Sequence, residues 1–233
     1  MRIIFIHGFG ESEAIFDKIA PHIAGEQIFL DVWELVGNIP RKDLNVLNFA
    51  ESLVEKYAIT QDDVIIGHSM GGWIAYHIKH FTGSSIVQIG SWTDTDRPYS
   101  PIKSGKVVYW LVRNGFLFNN AVKKYLIKTA YEGKPSRQLY EEIFDSMIHG
   151  NKENIINQLR LILTPVPEKI TAKPDLRIHA KADLVVRVPR EPFHEVPGDH
   201  FTLQTHPAMV YEPIVEFLKD LKRDWNSDKY EKF

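Results

Sequence analysis

Cysteine is absent from the 233 residues. That excludes disulfides, thiol chemistry and any cysteine-based metal site. Neither charge is in excess: 28 basic and 30 acidic residues leave a formal charge of −2. This balance argues against a nucleic-acid or anionic-membrane partner, because no basic surplus exists to neutralise phosphates. No apolar run reaches membrane-spanning length. The run at residues 3–6 is also too short for the core of a signal peptide, and no small-residue cleavage site follows it. A cytoplasmic protein is the expectation. Internal repeats and low-complexity tracts are missing as well. The hydrophobic content, 44%, is ordinary for a globular chain. The length suits one large domain, or a core carrying an insertion.

What is present is an alternation. Short β-branched runs at residues 2–6 (RIIFI), 27–32 (QIFLDV), 63–66, 85–89 (SIVQI) and 175–179 (DLRIH) read as strands, with a short sixth at 192–196. Between them, residues 13–24, 46–57 and 70–80 carry apolar residues at helical spacing, and residues 207–221 form an amphipathic closing helix. Strands that are apolar on both sides and alternate with helices predict a parallel sheet covered on both faces. The rhythm breaks at residues 98–166, where only the short run 107–112 has any strand character. Aromatics, helix formers and scattered prolines dominate there, which predicts an all-helical insertion. The expected division is a core of residues 1–97 and 167–233 with a cap of residues 98–166. The tail 222–233 is mostly charged or aromatic and is expected to be peripheral.

Residues 64–72 read VIIGHSMGG. Ser69 stands between Gly67 and Gly71, after a buried strand and at the opening of a helix. That is the setting of a nucleophile elbow, whose tight turn needs glycine two residues either side. The plainer reading is a glycine turn with an incidental serine, so the remaining parts must come from elsewhere in the chain. His7-Gly8-Phe9-Gly10 follows the first strand, where a loop giving one N–H to an oxyanion hole belongs. Alone it reads equally well as a flexible turn. Phe9 N–H is the candidate donor, with Met70 N–H, at a helix N-terminus, as the second.

Of the ten histidines, His200 in GDHF follows the last strand and is best placed as general base. Asp183, in HAKAD after the fifth strand, can accept the second ring N–H of the base. Asp94 and Asp96 compete with it, and their plainer reading is a solvated loop. Asp199 adjoins His200 but is expected to face away. A metal site on His179, His194, His200 and His206 is disfavoured, because no helical i, i+4 pair exists and no cysteine assists.

The order Ser69, Asp183, His200, with HGFG, GHSMGG, HAKAD and GDHF, resembles the signature blocks of the α/β-hydrolase superfamily. The resemblance covers residues 2–92 and 175–221. It implies a three-layer α/β/α fold with a mostly parallel sheet of about six strands, lacking the N-terminal antiparallel strands, and a helical cap. It also implies a serine hydrolase acting through an acyl-enzyme on a small, hydrophobic ester, thioester or amide, without cofactor or metal. The aromatics Trp92, Tyr109, Trp110 and Phe116 are expected to shape the pocket. Activity should rise with pH through a histidine pKa of about 7. A carbon–carbon hydrolase or lyase with the same triad, and a non-catalytic small-molecule receptor, are the alternatives. Three features depart from the family pattern: the start at the HGFG strand, alanine after His179, and the short spacing from Asp183 to His200.

Overall fold

Strand β1 (Arg2–Ile6) is next to the edge of the sheet in the computed structural model, which describes residues 1–166 and 170–230, with side chains up to 223. Strands β2 (Glu26–Leu30), β3 (Val64–His68), β4 (Ser85–Ile89), β5 (Leu176–Ala180) and β6 (His194–Val196) complete one sheet in the order β2-β1-β3-β4-β5-β6. All neighbouring pairs are parallel. Side chains alternate between the faces. Ile4, Ile6, Ile65 and Ile86 join one apolar layer with α2 (Val46–Tyr57) and α3 (Met70–Thr82). Ile3, Phe5, Val64, Ile66, Val87 and Ile89 join the other, with α9 (Pro207–Tyr230). The three layers and the parallel sheet match the fold class read from the sequence.

The remaining helices are short. Helix α1 (Val32–Leu35) starts at Asp31, whose carboxylate caps it by accepting the Glu34 N–H. That cap ends β2 earlier than the apolar pattern suggests. Between β4 and β5 run α4 (Gly105–Arg113), α5 (Asn120–Leu126), a π turn (Ile127–Tyr131), α6 (Arg137–His149) and α7 (Lys152–Leu163). They share a small core of Val108, Val112, Phe144, Met147, Ile155 and Ile156. Helix α8 (Thr202–Thr205) precedes α9. No helix of the described residues is long and apolar enough to cross a membrane.

Two expectations are corrected. Residues 13–24 do not form an α-helix but two 3₁₀ turns, Glu13–Phe16 and Ala20–His22. Pro21 has no N–H to continue a helical ladder, although Ile15, Ile19 and Ile23 still reach the core as their spacing suggested. The run 107–112 is helical, within α4. Val108 and Val112, four apart, face inward, while Val107 and Trp110 face out, a helical rather than a strand periodicity. Most of the tail 222–233 lies outside the described side chains.

Candidate active site

Ser69 sits between β3 and α3 with φ 51° and ψ −120°. Among the described residues only it and Ala58 are non-glycines with positive φ. Such a conformation costs about 1–3 kcal/mol and persists only where the surroundings enforce it. They do. Ser69 N–H donates to Ile89 O at 2.9 Å, and Ser69 O accepts from Gly72 and Trp73 N–H and from Ser91 Oγ at 2.7 Å. The flanking glycines are sterically required. A Cβ on Gly71 would stand 1.8 Å from Ile6 O, and one on Gly67 would stand 2.3 Å from Gly72 N. Helix α3 can therefore start hard against β1, with Ser69 at the sheet's C-terminal edge, where open parallel sheets carry their sites.

The loops after β5 and β6 reach the same edge. His200 Nδ1 lies 2.8 Å from Asp183 Oδ2, and both residues are buried. The other oxygen, Asp183 Oδ1, accepts from Val185 and Val186 N–H at 2.7 and 2.9 Å, which aims the carboxylate. Burial alone would raise the Asp183 carboxyl, but the charge and hydrogen bond of His200 hold it below the usual range. Burial likewise lowers His200, but Asp183, with lesser help from Glu11 and Asp199, lifts it above an ordinary histidine. A Cβ on Gly90, which follows the residue bonded to Ser69 N–H, would lie 3.4 Å from His200 Nδ1. Among the described residues Ser69 Oγ makes no hydrogen bond to the ring. Such bonds are commonly long before substrate arrives. Asp94 and Asp96 do not reach His200; they pair with Arg190, and Asp96 also with Arg97. Asp199 turns away, accepting from Ser136 Oγ and Phe201 N–H.

The glycine amides of the HGFG loop are bonded to neighbouring protein groups. Gly8 N–H donates to Glu11 Oε2 at 2.7 Å, Gly10 N–H to Gln158 Oε1, and Glu11 N–H to Gly8 O. Phe9 N–H is left with no protein acceptor among the described residues. Met70 N–H, the first amide of α3, is in the same position, as helix-start amides are. His7 is structural. Its Nδ1 donates to Gly8 O and its Nε2 accepts from Val32 N–H, so it is a fixed neutral tautomer, and burial keeps its pKa low.

A second buried pair went unseen in the sequence. His68 Nδ1 lies 2.8 Å from Glu11 Oε2, and His68 Nε2 lies 3.0 Å from the carbonyl of His200. The carbonyl only accepts, so Nε2 carries a hydrogen, and the Nδ1–Oε2 contact needs one more proton between them. Burial raises the Glu11 carboxyl, but the charge of His68 and its hydrogen bond hold it below the usual range. Glu11 thereby ties the HGFG loop, the elbow and the His200 loop together. Glu11, His68 and His200 each offer a ligand atom within 4.8 Å of the others. However, the Glu11–His68 contact has hydrogen-bond length and places a proton where a metal would need lone pairs. Sequence gave no pairing signal, because 57 positions separate Glu11 from His68.

The expected pocket aromatics are placed elsewhere. Trp92 is buried in the core, its ring 6.1 Å from Trp73. Tyr109 lies under the Arg160 guanidinium. Trp110 and Phe116 are exposed and stack on each other. The aromatics that meet the site loops are others from the segment between β4 and β5. Phe118 packs on Phe9, and Tyr131 and Tyr140 pack on Phe201 beside His200. A cleft of ≈ 910 Å³ is lined by residues that include Trp73, Tyr76, Asp94, Arg177 and Glu191 but by none of Ser69, Asp183 or His200. Val166 and Ile170 also line it.

No family model and no curated protein matches the chain. Many solved structures do. A bromoperoxidase from Bacillus anthracis has a TM-score of 0.67 at 18% identity, covering 94% of this chain and 91% of that one. An enol-lactonase from Burkholderia xenovorans LB400 has a TM-score of 0.65 at 14% identity, covering 94% and 91%. A thermophilic esterase from Thermogutta terrifontis has a TM-score of 0.63 at 16% identity, covering 94% and 90%. The chain has the α/β-hydrolase fold.

Proposed function

We propose that the protein is a serine hydrolase that cleaves a small, hydrophobic ester, or a thioester or amide, through Ser69, His200 and Asp183. The observation that carries this reading is the buried Asp183–His200 hydrogen bond at the same sheet edge as a serine forced into positive φ. Asp183 accepts a hydrogen bond from the Nδ1–H of His200, which leaves Nε2 as the basic nitrogen. His200 removes the proton of Ser69 as Oγ attacks the substrate carbonyl. The oxyanion is received by the N–H groups of Phe9 and Met70, the amides left without protein acceptors. His200 then protonates the leaving group, and water activated by His200 hydrolyses the acyl-enzyme. Phe118, Tyr131 and Tyr140 give the acyl or alcohol group an apolar surrounding.

The test is labelling with a fluorophosphonate probe. The wild type should be labelled at Ser69, Ser69→Ala should not be labelled, and His200→Ala should be labelled far more slowly. Labelling that survives loss of Ser69 sinks the assignment. A panel of p-nitrophenyl esters of rising chain length then sizes the apolar pocket.

A further inference from the structure

The chain as a whole is nearly neutral, but its charges are segregated. Acidic residues number 30 of 233, yet none occurs in residues 98–131, which hold Lys103, Lys106, Arg113, Lys123, Lys124 and Lys128. The same stretch supplies Tyr99, Val107, Trp110, Phe116 and Tyr125, five of the eight large apolar side chains exposed among the described residues. The two features meet on α4. Val108 and Val112 bury one face of it. Lys106, Val107, Trp110 and Arg113 are exposed, at i, i+1, i+4 and i+7, which lie along one outer side of the helix. Trp110, 57% exposed, stacks at 5.5 Å on Phe116, which is equally exposed. Arg113 pairs with Glu153, but Glu153 also meets Arg41, so the surroundings stay cationic.

We infer that this outer face of α4, with Phe116, docks the protein on an anionic lipid surface. A tryptophan-led apolar stripe flanked by lysine and arginine is the chemistry of a helix lying in the headgroup region. There the apolar face enters the acyl boundary and each nearby basic residue adds attraction to anionic lipid. A second copy of the chain is a poorer occupant, because two such faces would bring like charges together. Single-stranded nucleic acid is poorer too. Trp110 and Phe116 use their ring faces on each other, and Val107 offers no face for a base to stack on. The charge balance of the whole chain, which argued against a membrane, averages away this local excess.

The experiment uses full-length protein carrying Ser69→Ala, so the readout does not depend on the proposed catalysis. Binding is measured by co-sedimentation with vesicles of phosphatidylcholine alone and of an equimolar mixture with phosphatidylglycerol. Binding to the mixed vesicles only is expected at low salt, largely lost at about 0.5 M salt. Lys106→Glu should weaken it at least about fivefold, and Trp110→Ser with Phe116→Ser about tenfold or more. These side chains are exposed, so circular dichroism should be unchanged. Equal binding to both vesicles, binding to neither, or binding that survives the double substitution overturns the proposal. So does a dimer in size exclusion that the double substitution dissolves, or a single-stranded oligonucleotide that displaces the vesicles.

Discussion

The loops around Ser69 and the helices between β4 and β5 satisfy their surfaces in opposite ways. In the first region almost every polar group is buried and paired: Asp183 with His200, Glu11 with His68, His7 with Gly8 and Val32. In the second, apolar rings and basic side chains of α4 stand in solvent. A buried polar network tolerates little change, because each lost partner strands another group in a low-dielectric setting. An exposed stripe tolerates much, because its side chains make few contacts within the chain. Under the two proposals above, the first region carries the chemistry and the second sets where it happens.

The sharpest way to break this contrast is at the serine. Ser69→Ala should lower kcat for a p-nitrophenyl ester by about 10⁴-fold or more and leave the melting temperature nearly unchanged. Asp183→Asn should cost about 10³–10⁴-fold in kcat, because His200 loses its tautomer control. A loss below tenfold would mean that another acid serves His200. Glu11→Ala should show chiefly in stability. It leaves His68 buried without its partner, at a cost of about 3–5 kcal/mol by denaturant unfolding. A change under about 1 kcal/mol would show that the pair is dispensable. At the other extreme, Trp110→Ser with Phe116→Ser should change turnover of a short soluble ester by less than about twofold. A large loss there would place those rings in the pocket after all.

The two regions were also unequally legible in the sequence. Strands were readable because both faces are buried, so β1 carries the unbroken apolar run Ile3–Ile6 and β3 the run Val64–Ile66. The elbow was readable because sterics require Gly67 and Gly71, and no other residue leaves room beside Ile6 O. Asp183 and His200 could be placed because each follows a strand at one sheet edge. The Glu11–His68 pair was invisible, because only the fold brings those positions together. In the helical segment, composition predicted helices but not which ring faces inward. Tyr109, Trp110 and Phe116 suit a pocket by residue type, whereas Phe118, Tyr131 and Tyr140 reach the loops because of how the segment before α5, the π turn and α6 pack. Residues 13–24 misled for a local reason, Pro21 inside an otherwise helical pattern.

The central claim is that His200, held by Asp183, is the base that activates Ser69. The most direct measurement is the pH dependence of kcat/KM for an ester, in the wild type and in Asp183→Asn. His200 must be neutral to act, and Asp183 holds its pKa above that of an ordinary histidine. Wild-type activity should therefore rise with pH through an inflection above about 6.5. Residual activity of Asp183→Asn should rise through a lower one. A wild-type profile flat from about pH 5 to 8, or an inflection that Asp183→Asn leaves in place, would contradict the account.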